Sequence, residues 1–546
     1  MKAAQLLVKC LELEGVKYIF GVPGEENLAF LEAVRNSSIK FITTRHEQAA
    51  VFMAATLGRL TGKAGVALST LGPGATNLVT GVAYAQLGGM PLVVITGQKP
   101  IRKSKQGKFQ IIDVVRMMEP ITKWAETVIS ADKVPSMVRE AFKLAEAERP
   151  GAVHLELPED IAEEESSAQP IEPIKVRRPG PDPKAIQRAI EMIHQAKRPL
   201  ILVAAGANRK LVRKHLRSFI GKTMIPFVTT QMGKGVENES SEMYLGTTAL
   251  SNNDYVHCAL NRADVIIVIG HDVTEKPPVT MTSETHKVIH INFYESKIDD
   301  VYAPSLELIG DISHTLWALS ESVVISPDWD LDYYKRLRKH MLQHINEKAD
   351  SDAFPIKPQR VVAELRKAMP GDGILSLDNG MYKLWIARNY PAYEQNSVLL
   401  DNALATMGAG LPAAIAAKIL NPNKKVLAVV GDGGFMMNDQ DLETAKRLDL
   451  DLVVLILNDS GYGMIRWKQE DMGLPDFGLK FDNPNFVKLA ESFGLEGYRV
   501  TKTAELMPLL QKTLNSKGIH IIDCPIDYSE NKTVFGEELK SKTCDL

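Results

Sequence analysis

The chain has little cysteine, few aromatic residues and almost no excess charge. Only four of its 546 residues are cysteine, and they lie far apart in the sequence. This spacing is typical of neither a metal site nor a disulfide framework, and it favours a reducing, cytoplasmic compartment. The net charge of −3, without a basic stripe, argues against a nucleic-acid partner. Composition therefore excludes several classes of protein without naming a function.

Long apolar runs are also missing. None approaches the roughly 18 residues of a transmembrane helix, so no membrane span is expected. The first residues predict an amphipathic helix that ends at Gly15, without the layout of a signal peptide. A chain of 546 residues is too long for one core, and it predicts about three domains.

Apolar runs alternate with helical segments, which predicts parallel sheets. The predicted strands are 16–20, 41–43, 66–69 and 91–95, then 200–204, 264–269 and 288–293, and finally 374–377, 426–430, 452–457 and 520–523. A polar, proline-rich stretch at 164–184 predicts a linker. The expected fold is α/β, with three doubly wound parallel-sheet domains at residues 1–165, 185–325 and 355–530.

Two short motifs follow neighbouring apolar runs in the third domain. Gly431-Asp432-Gly433 follows the run 426–430, and Asn458-Asp459 follows the run 452–457. The residues between these runs predict one helix, so both motifs should end strands of one sheet, at the edge where such sheets bind ligands. Two hard oxygen ligands beside a glycine loop suit Mg²⁺ and a diphosphate. Taken alone, Gly-Asp-Gly could equally be a plain strand-to-helix turn.

This pair of motifs resembles the diphosphate anchor of thiamine diphosphate enzymes, because 24 residues separate Gly433 from Asn458. The resemblance implies thiamine diphosphate and Mg²⁺ as cofactors, and a pyrimidine, central and pyrophosphate order of domains. It implies metal ligands at Asp432, Asp459 and the Gly461 carbonyl. It also implies cofactor contacts at Gly431, Asp432, Gly433, Gly434, Asp459 and Met464.

A glutamate of the first domain activates the cofactor's pyrimidine in this family, by a hydrogen bond to ring nitrogen N1′. Glu47, in the segment 45–50 after the second predicted strand, matches that pattern and is the candidate catalytic residue. The alternative is an ordinary helix-terminal glutamate that interacts with the helix dipole.

Three further loops resemble cofactor-binding loops of the family. Gly72 belongs to a Gly-Pro-Gly turn, and Asn379 and Gly380 form an Asp-x-Gly turn that lacks the usual Gln or His. Met407 lies where relatives place a bulky residue that bends the cofactor, although Ala405 replaces a glycine. Ordinary core packing is the alternative role for Met407.

Four segments, at residues 20–24, 109–110, 120–123 and 411–414, resemble acetolactate synthases. That resemblance implies a condensation of two pyruvates to 2-acetolactate and CO₂, through a thiamine diphosphate ylide and a hydroxyethyl enamine. It implies a homodimer or homotetramer with active sites between chains. Gln110 is a candidate contact for the second pyruvate, with a surface loop as the alternative.

Acetolactate synthases occur as biosynthetic forms with FAD and catabolic forms without it. Residues 270–278 lack both arginines of the biosynthetic segment, and Trp467 and the ending 525–529 resemble the catabolic form. FAD is therefore not expected. The alternatives are another thiamine diphosphate-dependent 2-keto acid decarboxylase or carboligase, an FAD-containing biosynthetic catalytic subunit, and a non-catalytic relative. Glu25, Glu26 and Lys468 depart from the pattern and receive no role.

Overall fold

The computed structural model describes residues 1–102, 107–174, 178–248, 250 and 256–537. Within these ranges the chain forms three six-stranded sheets, and neighbouring strands are parallel throughout. This confirms the predicted α/β fold. The strands are β1 (Tyr18–Gly21), β2 (Lys40–Thr43), β3 (Gly65–Ser69), β4 (Leu92–Gln98), β5 (Trp124–Thr127), β6 (Ala152–Pro158), β7 (Pro199–Val203), β8 (Phe227–Thr229), β9 (Tyr244–Thr247), β10 (Val265–Ile269), β11 (Lys287–Asn292), β12 (Leu306–Ile309), β13 (Ile374–Leu377), β14 (Val398–Leu399), β15 (Val426–Gly431), β16 (Leu452–Asn458), β17 (Glu496–Arg499) and β18 (Ile519–Pro525).

Helices connect the parallel strands, as the crossover from one parallel strand to the next requires. They are α1 (Ala3–Leu13), α2 (Leu28–Arg35), α3 (Glu47–Thr61), α4 (Pro73–Leu87), α5 (Val114–Met118), α6 (Val134–Glu146), α7 (Glu159–Ala162), α8 (Pro183–Gln195), α9 (Lys210–Thr223), α10 (Val256–Arg262), α11 (Ile312–Ser322), α12 (Asp332–Ile345), α13 (Pro358–Ala368), α14 (Met381–Asn389), α15 (Gly410–Leu420), α16 (Asp432–Phe435), α17 (Leu442–Arg447), α18 (Gly463–Asp471), α19 (Phe486–Ser492) and α20 (Leu506–Asn515). Among the described residues, no helix combines the length and the apolar character needed to cross a membrane.

The strand orders are β2-β1-β3-β4-β6-β5, β12-β11-β10-β7-β8-β9 and β14-β13-β15-β16-β18-β17. In each sheet the order reverses direction, which is the signature of doubly wound topology. The central strands are buried along nearly their whole length, because helices cover both faces. Their apolar residues form the cores of the sheets.

The chain divides into two compact units. Unit 1 comprises residues 1–176, 403–423 and 435–451, and it contains the first sheet. Unit 2 comprises residues 177–402, 424–434 and 452–546, and it contains the second and third sheets. In unit 1, α3 packs against α4 and α15. Its buried, alanine-rich middle allows the close approach of neighbouring helices.

A buried ion pair in unit 2 connects the loop after β8 to the segment between α14 and β14. The Nζ atom of Lys234 lies 2.6 Å from Oε2 of Glu239, and both side chains are almost fully buried. The Ala392 N–H donates to the Glu239 carboxylate at 2.8 Å, and the Glu239 N–H donates to the Ala392 carbonyl at 3.0 Å. Polar groups therefore bridge the second and third sheets in the interior of this unit.

One expectation from the sequence is wrong. The residues between β15 and β16 form α16, a 3₁₀ turn (Asp439–Asp441) and α17, so they are not one helix. Asn438 leaves the helical conformation there, with φ −142° and ψ 24°, and its side chain bonds to other loops. Cys10 and Cys524 are buried free thiols.

Candidate cofactor and active site

The carboxyl ends of β15 and β16 bring two aspartates to one edge of the third sheet. Asp432 begins α16 and is buried, and its Oδ1 accepts the Gly433 N–H at 3.0 Å. Asp459 directly follows β16, which pairs in parallel with β15. The two motifs therefore lie at neighbouring strand ends, as the sequence predicted, but the chain passes from β15 directly into α16, which also contains Gly434.

The two carboxylates oppose each other's ionisation. Burial raises the pKa of Asp432 above its usual value. Burial, followed by the charge of Asp432, raises the pKa of Asp459 to about 7, although Arg466 lies 3.1 Å from the Asp459 Oδ2. Two crowded carboxylates whose charges are not fully balanced suit a divalent cation.

Magnesium fits this donor set. The described residues contain no cluster of three or more His, Cys, Asp or Glu side chains able to hold a metal. Mg²⁺ commonly binds through one or two carboxylates and keeps several waters, so Asp432 and Asp459 are sufficient. The Gly461 carbonyl lies just before α18, where it accepts the Gly463 N–H at 3.1 Å. Met464, the second residue of α18, is half-buried.

An amide network, not indicated by any sequence motif, joins the two motifs. The Asn483 Nδ2 donates to Oδ2 of Asp432 at 2.7 Å and to Oδ1 of Asn458 at 3.2 Å. Asn458 in turn donates its Nδ2 to Oδ1 of the buried Asp523 at 2.9 Å, and Arg499 pairs with the other oxygen of Asp523. The network fixes the orientation of the Asn458 amide.

The turn after β13 holds Asn379 and Gly380 beside a buried lysine. The Lys383 Nζ donates to the side-chain oxygens of Asn379 at 2.6 Å and Asn402 at 3.0 Å, and to the Asp401 carbonyl at 3.2 Å. Burial lowers the pKa of Lys383 to about 8. Lys383 follows the turn in which the sequence lacks the usual Gln or His, and it holds Asn379 in place.

Two tyrosine hydroxyls are buried in the same part of unit 2. Neither the Tyr382 hydroxyl nor the Tyr528 hydroxyl has a hydrogen-bond partner among the described residues. Burial raises the pKa of both tyrosines well above its usual value; Asp378 adds to the effect at Tyr382, and Asp459 at Tyr528. Both therefore remain protonated.

A cavity of about 660 Å³ lies at the carboxyl ends of β16 and β18. Its lining includes Asp459, Gly463, Trp467, Arg499 and Tyr528. The carboxylate of Asp459, a candidate metal ligand, therefore faces open space large enough for part of a cofactor or substrate.

In unit 1, the candidate catalytic glutamate begins α3. Glu47 is 8% exposed, and its Oε2 accepts a hydrogen bond from the Asn77 Nδ2 at 2.9 Å. A Cβ added at Gly74 would lie 3.3 Å from its Oε1, so the carboxylate lies beside the first turn of α4. The sequence alone does not indicate a role for Asn77, although this residue lies three positions after Gly74 in the segment that begins with the Gly-Pro-Gly turn.

The first turn of α4 also meets Gln110. Gly72 has φ +50°, and a Cβ there would lie 2.8 Å from the Gln110 carbonyl oxygen, so only glycine fits without strain. Gln110 is exposed and itself has φ 58°. The structure therefore brings Gly72 and Gln110 together at the surface of unit 1.

The Met407 loop is fastened to α3 within unit 1. The Asn438 Nδ2 donates to the Gly408 carbonyl at 2.8 Å and to Oε1 of Gln48 at 3.0 Å. Met407 is half-buried, so it is not an ordinary core residue. Ala405, which replaces a glycine, has φ 54°, a conformation that favours glycine.

Glu26, which received no role from the sequence, forms a buried ion pair. Its Oε1 lies 2.7 Å from the Lys99 Nζ, both side chains are buried, and Thr70 donates to its other oxygen. Although burial opposes ionisation, the bonds from Lys99 and Thr70 keep the pKa of Glu26 below its usual value. Glu25 and Lys468 are both exposed, and nothing in the structure explains either residue.

Three family models match successive parts of the chain. They describe the N-terminal TPP binding domain (residues 1–117), the central domain (186–319) and the C-terminal TPP binding domain (378–524) of thiamine pyrophosphate enzymes. The acetolactate synthase of Bacillus subtilis is 34% identical, over 99% of this chain and 97% of its own. The chain belongs to the thiamine diphosphate-dependent acetolactate synthase family.

Other relatives in this family carry different names. The catabolic acetolactate synthase of Raoultella terrigena is 33% identical over 98% of this chain and 96% of its own. A probable acetolactate synthase large subunit of Methanocaldococcus jannaschii is 34% identical over 97% and 93%. The chain is thus a thiamine diphosphate-dependent enzyme, and the identities do not separate the two forms.

The buried Asp523 supports a prediction about the hydrogen-bond network next to the candidate cofactor site. Asp523→Asn should lower the free energy of unfolding by about 1–3 kcal/mol, because an amide cannot accept from both Asn458 and Arg499 as well as a carboxylate does. It should also weaken Mg²⁺ binding by about tenfold, as outer-shell changes do. Denaturant unfolding and calorimetric Mg²⁺ titration measure the two effects. Unchanged metal affinity would confine Asp523 to a role in stability.

The strand order of the second sheet reverses between β7 and β10, and doubly wound folds bind nucleotides in the crevice at such a point. The Glu275 carboxylate occupies this position. It accepts the N–H groups of Ala205 and Asp272, both at 3.1 Å, and the hydroxyl of Thr230. Those backbone groups follow β7 and β10, so they are the ones that a bound phosphate would use.

The buried Glu275 predicts a pH effect on stability. Burial raises its pKa from 4.5 to about 7, so the folded state binds a proton more tightly than the unfolded state. The stability contribution of Glu275 should therefore decline as pH rises from about 4.5 to about 7. The stability advantage of the wild type over Glu275→Gln should shrink across this window. Thermal unfolding of both proteins at several pH values checks this, and a constant difference would contradict it.

Proposed function

We propose that this enzyme is an acetolactate synthase of the catabolic type, which condenses two pyruvates to 2-acetolactate and releases one CO₂. The observation that carries the proposal is similarity along the whole chain to enzymes named acetolactate synthase. The catabolic type is favoured by residues 270–278, which lack both arginines of the biosynthetic segment. The paired aspartates in unit 2 and the helix-terminal glutamate in unit 1 support it, because they are the groups that the cofactor chemistry requires.

Bound thiamine diphosphate supplies a nucleophilic carbon and an electron sink for decarboxylation. Asp432, Asp459 and the Gly461 carbonyl hold Mg²⁺ in this proposal. The Glu47 carboxylate holds the proton that is shared with pyrimidine N1′, and Asn77 orients it through the 2.9 Å hydrogen bond. Gln110 contacts the second pyruvate. The remaining proposed cofactor contacts are Gly72, Asn379, Gly380, Met407, Gly431, Gly433, Gly434 and Met464.

The proposal includes activity without FAD. Glu275 supports this part, because its carboxylate occupies the backbone N–H groups that a nucleotide phosphate would need. Displacing it would leave a buried carboxylate without its donors, at a considerable cost in free energy. An anionic nucleotide is therefore disfavoured at this crevice.

The proposed domain boundaries are 1–165 for the pyrimidine domain, 185–325 for the central domain and 355–530 for the pyrophosphate domain. We propose a homodimer or homotetramer with active sites between chains. Light scattering of the purified protein distinguishes these two states from a monomer.

Turnover of pyruvate tests the proposal. The protein, shown to be free of bound flavin, is incubated with pyruvate, thiamine diphosphate and Mg²⁺, and the products are measured by NMR. We expect acetolactate and CO₂ in a one-to-one ratio. Glu47→Gln is the matched inactive control.

The other outcomes each contradict part of the proposal. Acetaldehyde as the product would indicate a simple decarboxylase. Acetolactate formed only after FAD is added would indicate the biosynthetic form. No turnover of pyruvate would reject pyruvate condensation and favour another 2-keto acid or a non-catalytic role.

A further inference from the structure

The Tyr382 ring lies between two of the loops proposed to bind the diphosphate. A Cβ added at Gly431 would lie 3.0 Å from its Cε1, and one added at Gly380 would lie 2.5 Å from the same atom. These glycines end β15 and begin α14, so the phenol is enclosed by the turns at the edge of the third sheet. Tyr382 is 4% exposed.

Tyr528 lies near Asp459, at the start of α18. Its Cδ2 would lie 3.6 Å from a Cβ added at Gly463, and that same Cβ would lie 2.9 Å from Oδ2 of Asp459. Its ring is partly exposed and lines the 660 Å³ cavity together with Asp459, whereas its hydroxyl is buried. Both phenols thus lie near the proposed metal ligands.

Both hydroxyl hydrogens lack an acceptor. Backbone N–H groups of Gly431 and Tyr382 lie near the oxygens of Tyr382 and Tyr528, respectively. An N–H group can only donate, so it leaves the hydroxyl hydrogen unused. Buried polar groups are nearly always hydrogen-bonded in native proteins, and an orphan donor is a reason to look for a missing partner. Two such donors beside one aspartate pair call for an anionic acceptor.

We propose that the hydroxyls of Tyr382 and Tyr528 donate hydrogen bonds to the diphosphate of the cofactor, in the magnesium complex held by Asp432 and Asp459. This inference rests on the proposed function only for the position of the diphosphate. It assigns binding contacts to two tyrosines, one of which, Tyr382, lies in the turn after β13 that lacks the usual Gln or His.

Phenylalanine substitutions test the proposal, because they remove only the hydroxyl. Tyr382→Phe and Tyr528→Phe should each weaken thiamine diphosphate binding by about tenfold to a hundredfold, the usual effect of losing one hydrogen bond to a charged group. Isothermal titration calorimetry of the full-length protein at saturating Mg²⁺ measures this. Inorganic pyrophosphate with Mg²⁺ is the second probe, and its affinity should fall by a similar factor, since it presents only the diphosphate.

The stability of the cofactor-free variants distinguishes the loss of a binding contact from damage to the fold. Each variant should unfold at the same temperature as the wild type or higher, because removing an orphan hydroxyl relieves a buried unpaired donor. Tyr333→Phe is the matched control: Tyr333 is also buried with an unpartnered hydroxyl, but it belongs to α12 and packs in the core of the second sheet. Its affinities for both probes should equal those of the wild type.

Three results would overturn the proposal. The first is wild-type affinity of both variants for the two probes. The second is a loss of affinity accompanied by an equal loss of stability in the cofactor-free protein. The third is failure of the wild type to bind thiamine diphosphate. Binding is measured without turnover, so a protein that binds the cofactor but makes no acetolactate would contradict the proposed function and leave this inference intact.

Discussion

Glu47→Gln should reduce kcat for pyruvate by about 10²–10⁴-fold, the usual range for loss of a proton-transfer group. Glutamine preserves the size of the side chain and can still bond to Asn77, which now donates to the carboxylate at 2.9 Å. It cannot exchange a proton with the pyrimidine. Thiamine diphosphate affinity, measured by calorimetry, should change much less than kcat.

The competing role for Glu47 is an interaction with the dipole of α3, and it predicts a different result. Loss of a helix-terminal charge costs about 0.3–1 kcal/mol of stability and leaves catalysis intact. Glu159→Gln, at the first residue of α7, is the matched control for that effect. If both substitutions lower stability slightly and both retain full kcat, Glu47 is a structural residue.

Asp432→Asn should weaken the binding of Mg²⁺ and thiamine diphosphate by about a hundredfold or more, because even outer-shell changes at metal sites cost roughly 10–100-fold. The same substitution should not destabilise the cofactor-free protein, since burial and mutual repulsion already disfavour the charges of Asp432 and Asp459. Magnesium titration by calorimetry and thermal unfolding without metal measure the two effects.

Asp439→Asn provides the control for that experiment. Asp439 lies in the same connection between β15 and β16, and burial raises its pKa as well, but it is outside the proposed ligand set. It should bind both cofactors like the wild type. If Asp432→Asn bound Mg²⁺ normally, the Gly-Asp-Gly motif would be a plain strand-to-helix turn.

Most of the apolar, buried strands could be predicted from the sequence, whereas of the edge strands only β2 was predicted. The apolar runs of β15 and β16 are covered on both faces, so their residues are almost entirely hydrophobic. β5 and β17 lie at sheet edges and are mostly half-exposed or exposed, so they have no such run. β6 is buried but includes His154 and Glu156, whose polar groups bond to Thr96 and Gln98 of the neighbouring strand. These hydrogen bonds offset the cost of burying the polar groups, and they can be recognised only once the pairing of the strands is known.

The same distinction applies to the candidate site. The placement of Asp432 and Asp459 at adjacent strand ends followed from the two apolar runs, because parallel strands end at one edge. Asn483 lies 51 residues beyond Asp432 and carries no motif, so its bridging hydrogen bond could not be anticipated. At Tyr382 the sequence shows only a departure from the family pattern. The packing of the structure is needed to show that its hydroxyl is buried without a hydrogen-bond partner.

The bridge from Glu239 to Ala392 has a practical consequence for domain dissection. An expressed fragment that covers only residues 185–325 would lack Ala392 and would open the buried Lys234–Glu239 pair to solvent. Such a fragment should be less soluble and less stable than one that extends through residues 392–397. Boundaries chosen from sequence matches alone, such as 186–319, would cut through an interior rather than between two independent bodies.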